Sequence, residues 1–187
     1  EASGPSFQVM LYVFKDGLEK YFASLGEGAP VRTLDELIEF NKKDSVELRF
    51  FDQQLLEMAS KKGTLQDEEY KKALSLMQKK TREEGIDKLM NENKLDAIMA
   101  PTGGPAWKTD LVNGDNFLGS SSSFAAISGY PNITVPMGFI GDLPVGVSFF
   151  GRAWSEPVLL NIAYSFEQGT MKRKAPRYLN SILVKQK

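Results

Sequence analysis

The sequence predicts an α/β fold, a mixed β-sheet covered by helices, and three observations carry that prediction. Charge is split unevenly: of the 47 Lys, Arg, Asp and Glu residues, 33 lie in residues 1–94 and 14 in residues 95–187. Glycine and proline run the other way, with 8 in the first stretch and 17 in the second. Apolar residues repeat at helical spacing in the first stretch. In the second they gather in short β-rich runs bounded by Gly, Pro and Asn. The first stretch therefore reads as helical and solvated, the second as strands, tight turns and loops.

The elements follow in order. Phe7 to Phe14 is a continuous apolar run, the pattern of a fully buried strand. Asp16 then stands where an N-cap belongs, and Leu18, Tyr21, Phe22 and Leu25 follow at helical spacing up to Gly26. Thr33-Leu34-Asp35-Glu36 fits a capping box that opens a helix through about Phe40. Val46 to Met58 is expected to be helical, with Leu48, Phe51, Leu55, Leu56 and Met58 on its buried side. The strongest helix spans Gln66 to Glu92, with Tyr70, Ala73, Leu74, Met77, Thr81, Leu89 and Met90 as its stripe and Gly85 as its weak point.

Leu95 to Ala100 reads as a short buried strand ended by Pro101, followed by a loop through Gly119. Ser120 to Gly129 reads as a short serine-capped helix burying Phe124, Ala125, Ala126 and Ile127. Asn132–Val135 and Val145–Phe150 read as strands, joined as a hairpin through Gly141-Asp142-Leu143-Pro144. Ser155-Glu156-Pro157 caps a last helix, Val158 to Gln168, which Gly169 stops. A basic tail follows, with Lys172, Arg173, Lys174, Arg177, Lys185 and Lys187 and no acid, and it is expected to be a loosely held, solvated end.

Composition excludes whole classes of chemistry. The chain has no Cys and no His. Disulfides, thiolate nucleophiles, cysteine zinc sites, Ser-His-Asp triads and His-ligated metals are therefore outside its reach. Any nucleophile here would need Lys or a carboxylate as its base. The net charge of −1 gives no basic excess for nucleic acid. No run of 18 apolar residues is present, so no membrane-spanning helix is expected. The chain opens at Glu1 with neither a start Met nor a visible signal peptide, which reads as a chain cut from something longer, in the cytoplasm rather than exported.

Two local features could carry chemistry. Gly119-Ser120-Ser121-Ser122-Ser123 offers hydroxyls at a helix start. Its ordinary reading is capping and loop hydrogen bonding, because a serine side chain satisfies free amides there. A Ser-Lys hydrolase would need a lysine held against one of these serines, and the nearest in sequence is Lys108 on a loop. The second feature is Ala100-Pro101-Thr102-Gly103-Gly104-Pro105-Ala106-Trp107. A strand that ends in a Gly- and Pro-rich loop is where open α/β sheets place ligands. Trp107 would give an apolar wall there, or else serve as a half-buried packing residue.

The second stretch resembles the C-terminal part of an amidase signature family enzyme. The resemblance rests on Asp96-Ala97-Ile98-Met99-Ala100-Pro101-Thr102, on Gly129-Tyr130-Pro131-Asn132-Ile133-Thr134-Val135-Pro136-Met137-Gly138, on Pro144-Val145-Gly146-Val147, and on Glu156-Pro157-Val158-Leu159-Leu160, in that order. The loop Pro105-Ala106-Trp107-Lys108-Thr109-Asp110 is most similar to the bacterial peptide-amidase-like branch.

The resemblance implies the amidase-signature fold, with residues 1–187 as one unit of a larger amidase domain: helix-rich 1–94, strand- and loop-rich 95–169 and the tail 170–187. It implies hydrolysis of a carboxamide by a Ser–cis-Ser–Lys relay, with no cofactor and no metal. It also implies that the relay lies in an N-terminal half outside this chain, because the family's signature has glycines after its serines and here Phe124 follows Ser123. The partners implied are a small-molecule or peptide amide substrate and that N-terminal half, with no nucleic acid and no membrane. The expected substrate wall is Thr102, Gly103, Gly104 and Trp107. Val9, Leu11, Ile98, Val147 and Phe149 are the candidates for apolar strand surface left exposed, which would drive the isolated chain to form homo-oligomers. Two rival readings are a non-catalytic module that keeps the fold for binding or assembly, and a compact Ser-Lys hydrolase using Ser120 to Ser123.

Overall fold

The computed structural model describes residues 3–176 and 178. The elements are α1 (Ser3–Ser24), α2 (Leu34–Lys43), α3 (Gln54–Ser60), α4 (Glu68–Thr81), a π-helical turn (Arg82–Ile86), α5 (Asp87–Asn93), β1 (Ile98–Pro101), α6 (Ser122–Ser128), β2 (Asn132–Ile140), β3 (Leu143–Phe150) and α7 (Glu156–Thr170). The chain is thus mixed α/β, with helices and a small sheet. It divides into two compact units, one up to Lys80 and the other from Thr81 onward.

In the first unit Phe7 to Phe14 is helical and not a strand. Asp16 lies inside α1 and caps nothing; it pairs with Lys20 at 2.7 Å. A continuous apolar run fits a buried strand and a buried helix alike, and what is buried decides between them. Leu11 and Phe22 are buried, Phe7 and Leu18 partly so, and these four lie on one helical face. Met10, Val13 and Phe14 are exposed. Leu11 packs with Leu34 and Ile38 of α2 and Ala59 of α3.

The Thr33 cap forms as predicted, its Oγ1 accepting the Glu36 amide at 3.1 Å. Glu36 Oε2 accepts from the Arg32 amide at 2.6 Å, one residue before the partner a capping box usually supplies. The helix expected over Val46–Met58 is not continuous. Asp44 Oδ1 takes the amides of Val46 and Glu47 at 2.7 and 3.1 Å, which makes a turn. Those bonds hold the Asp44 carboxyl below the usual aspartate range. Phe51, Leu55 and Met58 are exposed rather than buried, whereas Gln53 is buried and donates to the Ile38 carbonyl at 3.1 Å.

In the second unit the expected break at Gly85 is present, with φ −110° and ψ −106° inside the π-helical turn. Met90 is buried in the stripe beyond it, and Leu89 is exposed. The sheet has the order β1-β3-β2, all antiparallel. β2 and β3 form the expected hairpin, with β2 running on to Ile140 through an irregularity between Pro136 and Gly138. On one face Val135, Val147 and Phe149 pack against Leu159 and Ala163 of α7. On the other, Phe150 packs with Ala125 of α6 and with Ile86 and Met90.

Several sequence expectations are corrected here. α6 buries Ala125 but leaves Phe124 exposed, and its N-cap Ser121 makes no side-chain cap bond. α7 runs through Gly169 to Thr170. Leu11, Val147 and Phe149 are buried and not exposed strand surface, because helices cover them; Val9 and Ile98 are partly buried. Exposed apolar surface lies instead at residues such as Met99, Leu118, Phe124 and Tyr164. In the tail Lys174 Nζ sits 4.8 Å from the Phe139 ring centre. Arg177, Lys185 and Lys187 lie outside the described residues. Among the described residues no helix is long and apolar enough to cross a membrane.

Candidate substrate cleft

Antiparallel pairing brings together three hydroxyls that lie far apart in sequence. Ala100 and Thr134 flank Ser148 across the sheet, and Thr102 follows one step beyond the end of β1 with its amide on the Gly146 carbonyl at 2.9 Å. Ser148 is fully buried. Its Oγ is 2.8 Å from Thr102 Oγ1 and 2.9 Å from Thr134 Oγ1. Gly146 leaves the room this needs, since a Cβ there would lie 2.8 Å from both Thr102 Oγ1 and Thr134 Cγ2. The cluster pins the last residue of the strand end from which the next loop departs.

That loop leaves and returns at one place. Gly103 bridges Ser120, and the Ser121 amide donates to the Thr102 carbonyl at 3.2 Å. Between these rims lies an open cleft of about 500 Å³, lined by Gly103, Gly104, Leu118, Ser120, Ser121 and Phe124 among others. Phe124 stacks parallel to buried Phe150, with ring centres 5.8 Å apart and planes 7° apart. Leu118 stands directly over Gly104, where an added Cβ would meet Leu118 Cβ at 3.2 Å.

The far part of the loop is built on Asp110. Its Oδ1 accepts the Val112 and Asn113 amides at 2.8 and 2.9 Å, and its Oδ2 accepts Asn113 Nδ2 at 2.8 Å. The Asn113 side-chain bond first, and then the two amides, hold the Asp110 carboxyl below the usual aspartate range. At the C-terminal end of α6, Arg82 Nε donates to the Ser128 carbonyl at 2.7 Å, and Tyr130 donates to Asp87 at 2.8 Å. Burial, and then that bond to a carboxylate, push the Tyr130 hydroxyl up to about 12.

The residues singled out from sequence fall into different places. Gly103 and Gly104 line the cleft. Thr102 sits behind it, in the hydroxyl cluster. Trp107 is 40% exposed and lies farther out on the loop, its ring 6.0 Å from Phe117 and its Nε1 donating to Asp115. Ser120 Oγ pairs with Ser122 Oγ at 2.9 Å, and Ser121 Oγ is buried without a partner. Among the described residues no lysine is hydrogen-bonded to Ser120, Ser121, Ser122 or Ser123, so the run holds no assembled Ser-Lys pair. No three acidic side chains gather as a metal site among them either. Sequence reading missed Leu118 and Phe124 as cleft walls. The one local hint was an aromatic directly after the serine run.

The comparisons with known proteins now decide the family. The amidase family matches residues 6–160. The chain belongs to the amidase family. A probable amidase of Arabidopsis thaliana is 37% identical over 174 residues, covering 91% of this chain and 30% of that protein. A peptide amidase solved with the competitive inhibitor chymostatin superposes with a TM-score of 0.88 at 44% identity, over 95% of this chain and 36% of that one. An amidase family protein from Bacillus anthracis gives a TM-score of 0.70 at 31% identity, over 91% of this chain and 30% of its own. This amidase chain therefore has the amidase-signature fold and spans about a third of the length of the relatives it matches.

Proposed function

We propose that this chain is the C-terminal, substrate-facing part of an enzyme that hydrolyses carboxamide bonds. The observation that carries the reading is the cleft at the end of β1, walled by Gly103, Gly104, Leu118 and Phe124, in a chain of the amidase family. The chemistry is a Ser–cis-Ser–Lys relay supplied by an N-terminal half that packs with this chain. Serine attacks the amide carbonyl, ammonia or an amine leaves, and water releases the acid. The cleft's part is to seat the group next to the scissile bond so that the carbonyl meets the nucleophile in line. One feature supports placing the relay elsewhere: among the described residues no lysine is bonded to the serine run, whose Ser120 and Ser122 hydroxyls pair with each other.

Kinetics on the full-length protein and on residues 1–187 alone test the reading. Turnover of peptide amides by the former only is the expected result. Turnover by the 187-residue chain, lost in Ser121→Ala or Ser122→Ala, would replace it with the compact Ser-Lys hydrolase. Binding without turnover by the full-length protein would favour the non-catalytic module.

A further inference from the structure

The helix that carries the serine rim of the cleft is clamped at its far end by a polar cluster. α6 is seven residues long, too short to persist on its own backbone bonds. Its last carbonyls have no partner within the helix. One of them, on buried Ser128, accepts from Arg82 Nε at 2.7 Å. The Arg82 guanidinium also lies 5.6 Å from the centre of the Tyr130 ring, and the Tyr130 hydroxyl donates to Asp87 Oδ2 at 2.8 Å. Gly129, between Ser128 and Tyr130, holds φ +71°, and a Cβ there would lie 3.4 Å from Arg82 Nη2. Glycine at that position both ends the helix and clears the guanidinium. The π-helical turn is what aims both charges at one tyrosine. Its closing bond runs from the Asp87 amide to the Arg82 carbonyl, five residues back. In an α-helix, residues five apart face about 140° away from each other. The π spacing stacks them instead, with Arg82 over the face of Tyr130 and Asp87 at its hydroxyl. Such turns recur at functional sites. At the opposite end of α6 the Ser121 amide donates to the Thr102 carbonyl, and Gly103 bridges Ser120. The helix is a short strut between the π-helical turn and the rim of the cleft.

We propose that Arg82 is a positioning residue for amide hydrolysis: through α6 it sets where the rim formed by Ser120 and Ser121 stands against the substrate. The inference rests on the amidase reading. Apolar contacts alone, such as Ala125 against Ile86 and Met90, hold α6 down but leave it free to slide along its own axis. A directional bond to its terminal carbonyl fixes that axial position. A polar cluster whose members satisfy one another specifies a single arrangement. Alignment of this kind matters to a reaction, since a shift of about 1 Å from a change far from the chemistry can cost on the order of a hundredfold in rate. All of these contacts lie inside the second unit, among residues of the π-helical turn, α5, α6 and the start of β2.

The test uses the full-length enzyme, with turnover of N-acetyl-phenylalaninamide and amide exchange read in peptides covering Ser121 and α7. Arg82→Ala should lower kcat about tenfold or more while KM changes less than about threefold, because the cleft walls remain and alignment is what is lost. Exchange at the Ser121 amide should rise about tenfold with exchange in α7 unchanged, which separates a slipped helix from a lost fold. Tyr130→Phe keeps the ring but drops the bond to Asp87, and should show the same pattern more weakly. Asp87→Asn keeps an acceptor for the Tyr130 hydroxyl and should stay near wild type. Unchanged exchange at Ser121 in Arg82→Ala overturns the inference. So does faster exchange there with kcat unchanged, which would leave the clamp a structural tie alone. An equal rise at Ser121 and in α7 in both Arg82→Ala and Tyr130→Phe overturns it too. If Arg82→Ala does not fold, Tyr130→Phe decides by the same two readings. If the wild-type enzyme turns over no amide, the amidase reading fails, and exchange alone judges the clamp: a selective rise at Ser121 supports it and a level rate rejects it.

Discussion

At the end of β3 nearest the cleft, the two faces of the three-stranded sheet are held by different physics. Towards α7, Val135, Val147 and Phe149 meet Leu159 and Ala163, each at most 9% exposed. Contact there is non-directional and scales with buried apolar area. On the opposite face the same strand β3 presents Phe150, which packs with Ala125, Ile86 and Met90, and towards the cleft end Gly146 and Ser148, where the contacts are directional hydroxyl bonds to Thr102 and Thr134. The apolar face holds the sheet on its helix. The hydroxyl cluster holds the strand end from which the cleft is built. A strand buried on both sides does not need both sides to be apolar when the polar side is fully hydrogen-bonded.

The largest effect should come from breaking the apolar face. Leu159 is 2% exposed, and Leu159→Ala removes it from the middle of that contact. The expected cost is about 2–5 kcal/mol, read from the urea midpoint. A loss well under about 1 kcal/mol would mean that α7 contributes little to holding the sheet. Next comes Gly146→Ala. A methyl there lies 2.8 Å from two threonine side chains, so the strand or the threonines must shift. Overpacking of this kind costs roughly 1–3 kcal/mol. Because the strain falls on Thr102, the variant should also loosen the loop after β1, seen as faster amide exchange at Gly103 and Gly104.

How far the sequence reveals this contrast depends on distance along the chain. Local signals were legible: the Thr33 cap, the break at Gly85, the β2–β3 hairpin and the Pro157 helix start all depend on residues within a few positions of each other. Phe7–Phe14 was misread because every residue but Gln8 is apolar, which erases the difference between a period of two and a period of 3.6. The hydroxyl cluster was not legible. Thr102, Thr134 and Ser148 meet only through the β1-β3-β2 register, and no spacing in sequence encodes that. The cleft was half legible. Gly103 and Gly104 follow from the rule that ligands sit at strand ends, whereas Leu118 and Phe124 arrive from the far end of a long loop.

Ser148→Ala sharpens the comparison at a smaller scale. It deletes the hydroxyl that Thr102 and Thr134 share and adds no bulk. The threonines stand 3.5 Å apart and can partly re-pair, so only part of the network is lost. A cost of about 1 kcal/mol is expected, within the range for a single hydrogen bond.

Ser121→Ala is the matched control and should have the smallest effect of all. Ser121 is 5% exposed, nearly as buried as Ser148, and it is a serine too. Its hydroxyl, however, meets no partner, and it does not cap α6 although it stands at the cap position. Burying an unpaired hydroxyl is unfavourable, so replacing it with a methyl hydrogen removes a penalty and breaks no bond. The expected change in stability is within about 0.5 kcal/mol of zero, or slightly stabilising. Measured side by side in urea, the two alanine variants should differ by roughly 1 kcal/mol. That difference reports what hydrogen bonding adds when burial and chemistry are held constant. Equal losses in both variants would show that the start of α6 depends on the Ser121 hydroxyl, and that burial alone, not pairing, sets the cost on this face of the sheet.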